Sequence, residues 1–245
     1  MGDGALADAQ RREQIAGGLA QTYERIERAC DAAGRGTSEV GLVVVTKTFP
    51  ASDVRHLHAL GVRDVGENRH PEAGEKAAAC ADLDLRWHYI GQLQTNKAKA
   101  VAGYADVVHS VDRVRLVTAL ARGRSSVEPP SSAVALDCLV QVSLDDEGRS
   151  GRGGAAPGEV AAIAEAIAEH PELRLRGLMA VAPLGGDPDE AFARLHALHR
   201  DLREQYPEAH MLSAGMSADL EAAVRHGATH VRVGSAILGT RPPGR

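Results

Sequence analysis

Lysine is scarce in this chain, and one lysine stands where an amine could do chemistry. Only Lys47, Lys76, Lys97 and Lys99 are lysines among the 28 Lys and Arg residues. Lys47 follows the apolar run 42–46, which is typical of a buried strand. A desolvated amine can lose its proton and condense with an aldehyde, whereas a guanidinium stays charged. We therefore expect a buried Lys47 amine that forms a Schiff base. The alternative is a strand-end charge that reaches out to solvent.

Small and amide residues mark further candidate positions. The segments 213–217 (Ser-Ala-Gly-Met-Ser) and 234–236 (Gly-Ser-Ala) would let a backbone approach a phosphate closely. The chain contains two asparagines, Asn68 and Asn96. Turn formation or helix capping is the alternative for all of these positions.

The positions just described depend on an alternation of strands and helices. Apolar runs predict strands at 41–46, 62–65, 85–90, 106–109, 133–142, 173–181, 209–212 and 229–233. Helical patterns lie at 8–34, 51–60, 69–81, 95–102, 112–123, 157–169, 188–204 and 218–226. This order predicts a single (β/α)8 TIM barrel, an α/β fold, with an extra N-terminal helix. An open Rossmann-type sheet is the alternative.

In such a barrel, the carboxyl ends of all strands open on one face, where the chemistry takes place. Predicted strands end at or just before Lys47, Asn68, Ile90, Asp112 and the segments 213–217 and 234–236, so we expect these positions to converge. An amine and a phosphate cradle on one face are the two features that pyridoxal phosphate needs.

Composition excludes several classes of protein. The net charge is -5 and no basic block occurs, which argues against a nucleic-acid surface. No apolar stretch approaches the ~18 residues of a membrane span, and the N-terminus is polar, so a cytoplasmic location is expected. The three cysteines lie far apart, as expected of reduced core thiols. His196 and His199 lack acidic or cysteine partners, so no metal site is predicted.

Several segments resemble one family in the same order along the chain, from about residue 8 to 241. They are Val45-Thr46-Lys47, Gly66-Glu67-Asn68, 87–97 (WHYIGQLQTNK), 109–112 (HSVD), 176–179 (RGLM), 212–219 (LSAGMSAD) and 232–236 (RVGSA). The stretch 87–97 is the most specific of these segments. Together they resemble the YggS/PROSC family of pyridoxal phosphate homeostasis proteins.

The resemblance implies a single barrel domain, residues 1–245, like the N-terminal domain of alanine racemase. It implies pyridoxal 5'-phosphate held as an internal aldimine on Lys47. The phosphate would be held by Ser213, Gly234 and Ser235, with Gly215 and Met216 in the same loop. Arg232 would face the pyridine nitrogen, and Asn68, His88 and Ile90 would lie near the ring.

The family is regarded as a supplier of the cofactor in vitamin B6 and amino-acid homeostasis, without established turnover. The resemblance thus implies a non-catalytic carrier, with pyridoxal-phosphate-dependent apoenzymes as candidate recipients. A monomer is expected, because the second domain of the racemase, one reason to dimerise, is not predicted here. An amino-acid racemase of the alanine racemase type is the catalytic alternative, and a barrel for a phosphorylated sugar or for interaction alone is a third. A two-base racemase needs a second proton-transfer group, and the four tyrosines fall in predicted helices or strand bodies.

The chain departs from the family pattern at three places. Arg69-His70-Pro71 replaces the usual aromatic and glutamine, which puts contacts there in doubt. Ala214 replaces a methionine in the 213–217 signature. The segment 141–143 (Gln-Val-Ser) and the loop 148–154 replace the family's asparagine and lysine. We expect that loop to be mobile and exposed, because its glycines allow many backbone conformations.

Overall fold

A computed structural model describes residues 2–127, 134–145 and 153–240 of the protein. These residues form eight strands: β1 Gly41–Val45, β2 Asp64–Glu67, β3 Arg86–Tyr89, β4 Val107–Val111, β5 Leu136–Gln141, β6 Leu173–Met179, β7 Met211–Ser213 and β8 His230–Val233. Each strand pairs in parallel with the next, and β8 pairs with β1, which closes a barrel. The predicted TIM barrel is confirmed.

Helices alternate with these strands and cover the barrel. They are α1 Gly2–Ala32, α2 Ala51–Ala59, α3 Glu72–Ala79, α4 Ala98–Ala102, α5 Val114–Ser125, α6 Val160–Ala168, α7 Pro188–Gln205, α8 Leu220–Arg225 and α9 Ser235–Leu238. Helix α7 begins at a proline, and the Asp187 side chain accepts a hydrogen bond from the Asp189 N–H. The short α9 follows β8 after one residue, Gly234, and begins within the predicted cradle segment 234–236.

Successive residues of each strand face opposite sides of the sheet, and the two sides carry different chemistry. Outward residues such as Val44, Val65 and Val231 pack with α1 and α2 in an apolar layer. A second apolar layer joins β4–β7 to α4–α7 and includes the buried Phe192. The barrel interior contains a small apolar cluster of Val107, Leu139, Met179 and Met211. Polar side chains fill much of the remaining interior, as described below.

The N-terminal helix α1 packs outside the barrel and ties its first and last units together. Arg11 pairs with the buried Asp53 of α2 at 2.6 Å and also donates to the Leu238 carbonyl of α9. At Gly18, an added Cβ would lie 2.7 Å from the Ile237 carbonyl oxygen, so α1 crosses α9 closely. Helix α1 therefore supports the position of α9 from outside.

Strand and helix boundaries differ from the sequence prediction by a few residues. Strand β2 begins at Asp64 and runs to Glu67, two residues beyond its predicted end, so Gly66 and Glu67 belong to the strand. Most of the loop 148–154 lies outside the described residues, so the expectation about its exposure stays untested. Across the described parts of the chain, none of the helices is both long enough and apolar enough to cross a bilayer.

Candidate functional site

The candidate residues lie at or just beyond the carboxyl ends of five strands. Lys47 follows β1, Asn68 follows β2 and Ile90 follows β3, while Ser213 ends β7 and Arg232 lies within β8. Gly215 and Met216 follow β7, and Gly234 and Ser235 follow β8. Since β7, β8, β1, β2 and β3 are consecutive around the barrel, these segments occupy adjoining parts of one rim.

Lys47 lies in a turn rather than inside the barrel wall. Strand β1 ends at Val45, and the Phe49 N–H donates to the Thr46 carbonyl at 3.1 Å to close the turn. The Lys47 side chain is exposed, so the expectation of a buried amine is wrong. The physical reason is its position two residues past the strand, at the open end of the barrel, where solvent reaches the turn.

The loops after β2 and β3 contact each other closely beside this turn. An added Cβ on Gly91 would lie 2.0 Å from the Asn68 carbonyl oxygen, so only glycine allows the two loops to approach this far. An added Cβ on Gly66 would contact Val43, Val45 and Ile90, at 3.0–3.5 Å. The side chains of Ile90, Val43 and Val45 therefore surround the space that a side chain at Gly66 would occupy.

The segments after β7 and β8 are shaped by two glycines. Gly215 has a φ of 90°, a left-handed conformation that favours glycine, and its Cβ would lie 2.6 Å from Ala223 Cβ. A Cβ on Gly234 would lie 2.8 Å from the Val45 carbonyl, so β8 passes close to the end of β1. Ser235 begins α9, and the first backbone N–H groups of a helix have no intrahelical acceptor. These N–H groups could receive an anion.

A continuous chain of hydrogen bonds runs through the barrel interior; we call it the interior chain. Arg232 Nη1 donates to Ser213 Oγ at 2.6 Å, and Ser213 Oγ lies 2.9 Å from His109 Nδ1. His109 Nε2 lies 2.8 Å from His88 Nδ1, and His88 Nε2 lies 2.8 Å from Asp64 Oδ1. All members except the partly exposed Asp64 are buried.

The charges at the two ends fix the direction of every hydrogen bond in the interior chain. Asp64 as a carboxylate can only accept, so a neutral His88 donates from Nε2 and accepts at Nδ1. His109 then donates from Nε2 to His88 and accepts at Nδ1 from the Ser213 hydroxyl. Arg232 can only donate, and it donates to Ser213. The Ser213 hydroxyl hydrogen is thus already engaged with His109.

Burial keeps both histidines of the interior chain neutral. Desolvation lowers the pKa of His88 despite the opposing effect of Asp64. Burial lowers the pKa of His109 well below its ordinary value, and His88 and Arg232 act in the same direction. Burial raises the pKa of the Asp64 carboxyl, but the hydrogen bond from His88 and the charges near it, including Arg86, together outweigh burial, so the net pKa is lowered. The pKa shifts therefore agree with the hydrogen-bond directions given above, in which both imidazoles are neutral.

Arg232 remains a cation despite its burial. Desolvation lowers its pKa to about 10, which still leaves it protonated at neutral pH. Its Nη2 donates to the Ala180 carbonyl at 2.9 Å, and none of the described carboxylates forms an ion pair with it. A fixed guanidinium is thus available at the rim of the barrel.

Sequence reasoning missed two members of the interior chain, Asp64 and His109, and assigned His88 to a place beside a ring. The structure places His88 inside the chain, joined to Arg232 through His109 and Ser213. A signal was present in the sequence. Polar residues at alternate positions of apolar strands, such as His109 in β4 and Arg232 in β8, indicate a polar barrel interior.

Comparison with known proteins agrees with these features. The family model "Alanine racemase, N-terminal domain" matches residues 19–242. The pyridoxal phosphate homeostasis protein of Mycobacterium tuberculosis is 45% identical over 243 residues, covering 94% of each chain. The protein of that name in Pseudomonas aeruginosa is 43% identical, covering 94% of this chain and 97% of the relative.

Solved structures give the same result. The Synechococcus elongatus protein PipY, solved with pyridoxal phosphate bound, is 34% identical with a TM-score of 0.74, covering 87% of this chain and 99% of that one. Alanine racemase from Corynebacterium glutamicum is 15% identical with a TM-score of 0.61, and the match covers 92% of this chain and 60% of the racemase, which shows the shared fold. The chain therefore belongs to the family of pyridoxal phosphate homeostasis proteins and has the fold of the alanine racemase N-terminal domain.

Proposed function

We propose that this protein binds pyridoxal 5'-phosphate, holds it covalently on Lys47, and acts in vitamin B6 and amino-acid homeostasis. The observation that carries the proposal is the grouping of Lys47, the Arg232 cation and the first turn of α9 on adjoining strand ends of one rim. The family membership and the relative solved with the cofactor bound support it.

The residues at the rim fit the functional groups of this cofactor. Lys47 is an exposed primary amine, and the cofactor, when bound, supplies an aldehyde carbon that condenses with it with loss of water. The N–H groups of Ser235 and the neighbouring turn receive the phosphate, with Gly234 allowing the close approach. Gly215 and Met216 border the cradle, and Asn68 and Ile90 border the ring.

Ser213 has a different part in the proposed site from the one its motif implies. Its hydroxyl hydrogen is donated to His109, and it accepts from Arg232, so the remaining lone pair would repel a phosphate oxygen. We assign Ser213 and His88 to holding Arg232 in place. The phosphate is then held by the backbone N–H groups at the start of α9 rather than by the Ser213 hydroxyl.

Arg232 restrains the chemistry of a bound cofactor. A fixed cation facing the pyridine nitrogen disfavours protonation of that nitrogen. The ring then withdraws electrons less strongly than one paired with a carboxylate. This favours holding and releasing the cofactor over stabilising a carbanion.

The positions of the tyrosines favour a carrier over a racemase. Tyr89 is buried in the layer between barrel and helices, and Tyr104 lies beside His70 in that layer. Tyr23 lies on α1, and Tyr206 follows the end of α7. No tyrosine of the described chain lies in the interior of the barrel, where a second base would be needed. We infer that the protein is a non-catalytic, monomeric carrier and that its recipients are pyridoxal-phosphate-dependent apoenzymes.

Visible absorption of the purified protein after addition of pyridoxal 5'-phosphate tests the proposal. We expect a new band that is absent from Lys47→Arg and retained in Lys99→Arg, the matched control. Proton NMR of alanine in deuterated water should show no exchange of the α-proton. Exchange would favour a racemase, and a colourless wild-type protein would favour a barrel for another ligand.

A further inference from the structure

Nothing in the described chain holds the Lys47 amine in place, so its position depends on its backbone. Neither a hydrogen bond nor an ion pair to Lys47 Nζ occurs among the described residues, and the side chain is exposed. The peptide groups on either side of Lys47 are instead bound by charged side chains from outside the barrel. These side chains are Glu67, Glu72 and Lys76, and we call them the clamp.

Lys76 and Glu67 bind the residue before Lys47. Lys76 Nζ donates to the Thr46 carbonyl at 2.8 Å and to Glu67 Oε1 at 2.5 Å. Thr46 Oγ1 donates to the same carboxylate oxygen at 2.6 Å. The Lys76 and Glu67 side chains are 5% and 2% exposed, so a water molecule cannot easily replace either partner.

Glu72 binds the residue after Lys47. Its Oε1 accepts the Thr48 N–H at 2.9 Å and lies 3.7 Å from Lys76 Nζ. Thr48 has a φ of 69°, a left-handed conformation that a β-branched residue adopts only under constraint. The hydrogen bond that the Thr48 N–H donates to Glu72 supplies such a constraint on the residue directly after Lys47.

We propose that Glu67, Lys76 and Glu72 are positioning residues that set the direction of the Lys47 side chain for attachment of the cofactor. This inference rests on the proposed function. The clamp touches neither the Lys47 amine nor the proposed cradle, because it approaches from the side of α3. It acts through the Thr46 carbonyl and the Thr48 N–H, which flank the reacting residue. Removing one of these hydrogen bonds leaves Lys47 at the same place in the turn but widens the range of directions that its amine samples.

Glu72 offers the sharpest test, because it is partly exposed and its loss leaves no buried charge unpaired. Glu72→Ala removes the acceptor for the Thr48 N–H, and Glu72→Gln restores an oxygen that can accept it. Glu75→Ala is the matched control, since Glu75 is an exposed acid on the same helix whose side chain bonds to nothing among the described residues. A double variant, Glu67→Gln with Lys76→Met, removes the donor to Thr46 without burying an unpaired charge.

Two measurements separate the effect of the clamp on the turn from its effect on attachment of the cofactor. Amide hydrogen exchange at residue 48, measured by NMR without cofactor, should be about tenfold faster in Glu72→Ala and near wild type in Glu72→Gln. Stopped-flow absorption with added pyridoxal 5'-phosphate should show attachment about tenfold slower in Glu72→Ala and in the double variant, with near-complete recovery in Glu72→Gln.

Each outcome decides the inference. Faster exchange at residue 48 with an unchanged attachment rate would overturn the positioning role while leaving the proposed function intact. Unchanged exchange in Glu72→Ala would show that the clamp does not hold the turn. If the amide exchange at residue 48 differs between wild type and variants as expected but the wild-type protein never binds the cofactor, the proposed function is overturned, and this inference with it. Slower attachment in Glu75→Ala as well would indicate a general charge effect.

Discussion

Acidification should destabilise this protein through its buried neutral histidines, and His109 provides the clearest case. It can take up a proton in the unfolded chain, with an ordinary pKa of 6.5, but not in the interior chain, where burial lowers that pKa well below this value. The unfolded state therefore binds more protons at mildly acidic pH. Stability must fall as the pH falls below about 6.5.

The magnitude follows from the difference in bound protons. A histidine that stays neutral in the folded state loses about 2 kcal/mol of stability between about pH 7.5 and about pH 5. Burial also lowers the pKa of His199 and of His230 to about 4. His199 is buried, whereas His230 is only partly buried, so His230 contributes less to the loss of stability. We therefore expect a total loss of about 4–6 kcal/mol from these three groups over that range.

Urea denaturation at several pH values, followed by circular dichroism, measures this loss. His109→Gln keeps an amide that can donate to His88 and accept from Ser213 but cannot titrate, so the loss should shrink by about 2 kcal/mol. His196→Gln is the matched control, because His196 is exposed on α7. A His109→Gln variant with the full wild-type loss would refute the reasoning that His109 is neutral in the folded protein.

Three further variants test separate features. Lys76→Ala leaves Glu67 buried and unpaired, so thermal and urea unfolding should show a loss of about 3 kcal/mol; an unchanged stability would mean that the pair contributes nothing. Gly91→Ala places a Cβ 2.0 Å from the Asn68 carbonyl oxygen and should lower the free energy of unfolding by about 3 kcal/mol. Absorption titration should also show weaker cofactor binding. Gly17→Ala is the control, because open space surrounds Gly17 and the substitution should not destabilise the protein. Arg232→Gln should raise the pKa of the ring nitrogen of bound cofactor, seen as a shifted pH dependence of the visible band; an identical pH dependence would place Arg232 away from the ring.

Much of the fold could be predicted from the sequence because its strands and helices have strong, regular patterns. The valine-rich run before Lys47 became β1, and the long polar pattern at the N-terminus became α1. Parallel strands in a closed barrel place their carboxyl ends on one face, so the rim containing Lys47, Asn68 and Ser235 followed from the order of elements alone.

The hydrogen-bond partners of individual side chains could not be predicted from the sequence pattern. The position of Lys47 after a buried strand predicts a buried side chain, yet the chain turns at Thr46 and exposes it. The hydrogen bonds from Thr48 to Glu72 and from Ser213 to His109 join residues 24 and 104 positions apart. Such contacts depend on the tilt and register of the barrel, which periodicity does not fix.

Borohydride reduction of the protein incubated with pyridoxal 5'-phosphate, followed by peptide mapping by mass spectrometry, tests the central claim most directly. Reduction makes the bond between the cofactor and its lysine permanent, so the modified residue can be located among the four lysines of the chain. We predict stoichiometric modification of Lys47 and none of Lys76, Lys97 or Lys99 when the cofactor is not in excess. A cofactor bound at another lysine, or an unmodified Lys47, would contradict the account.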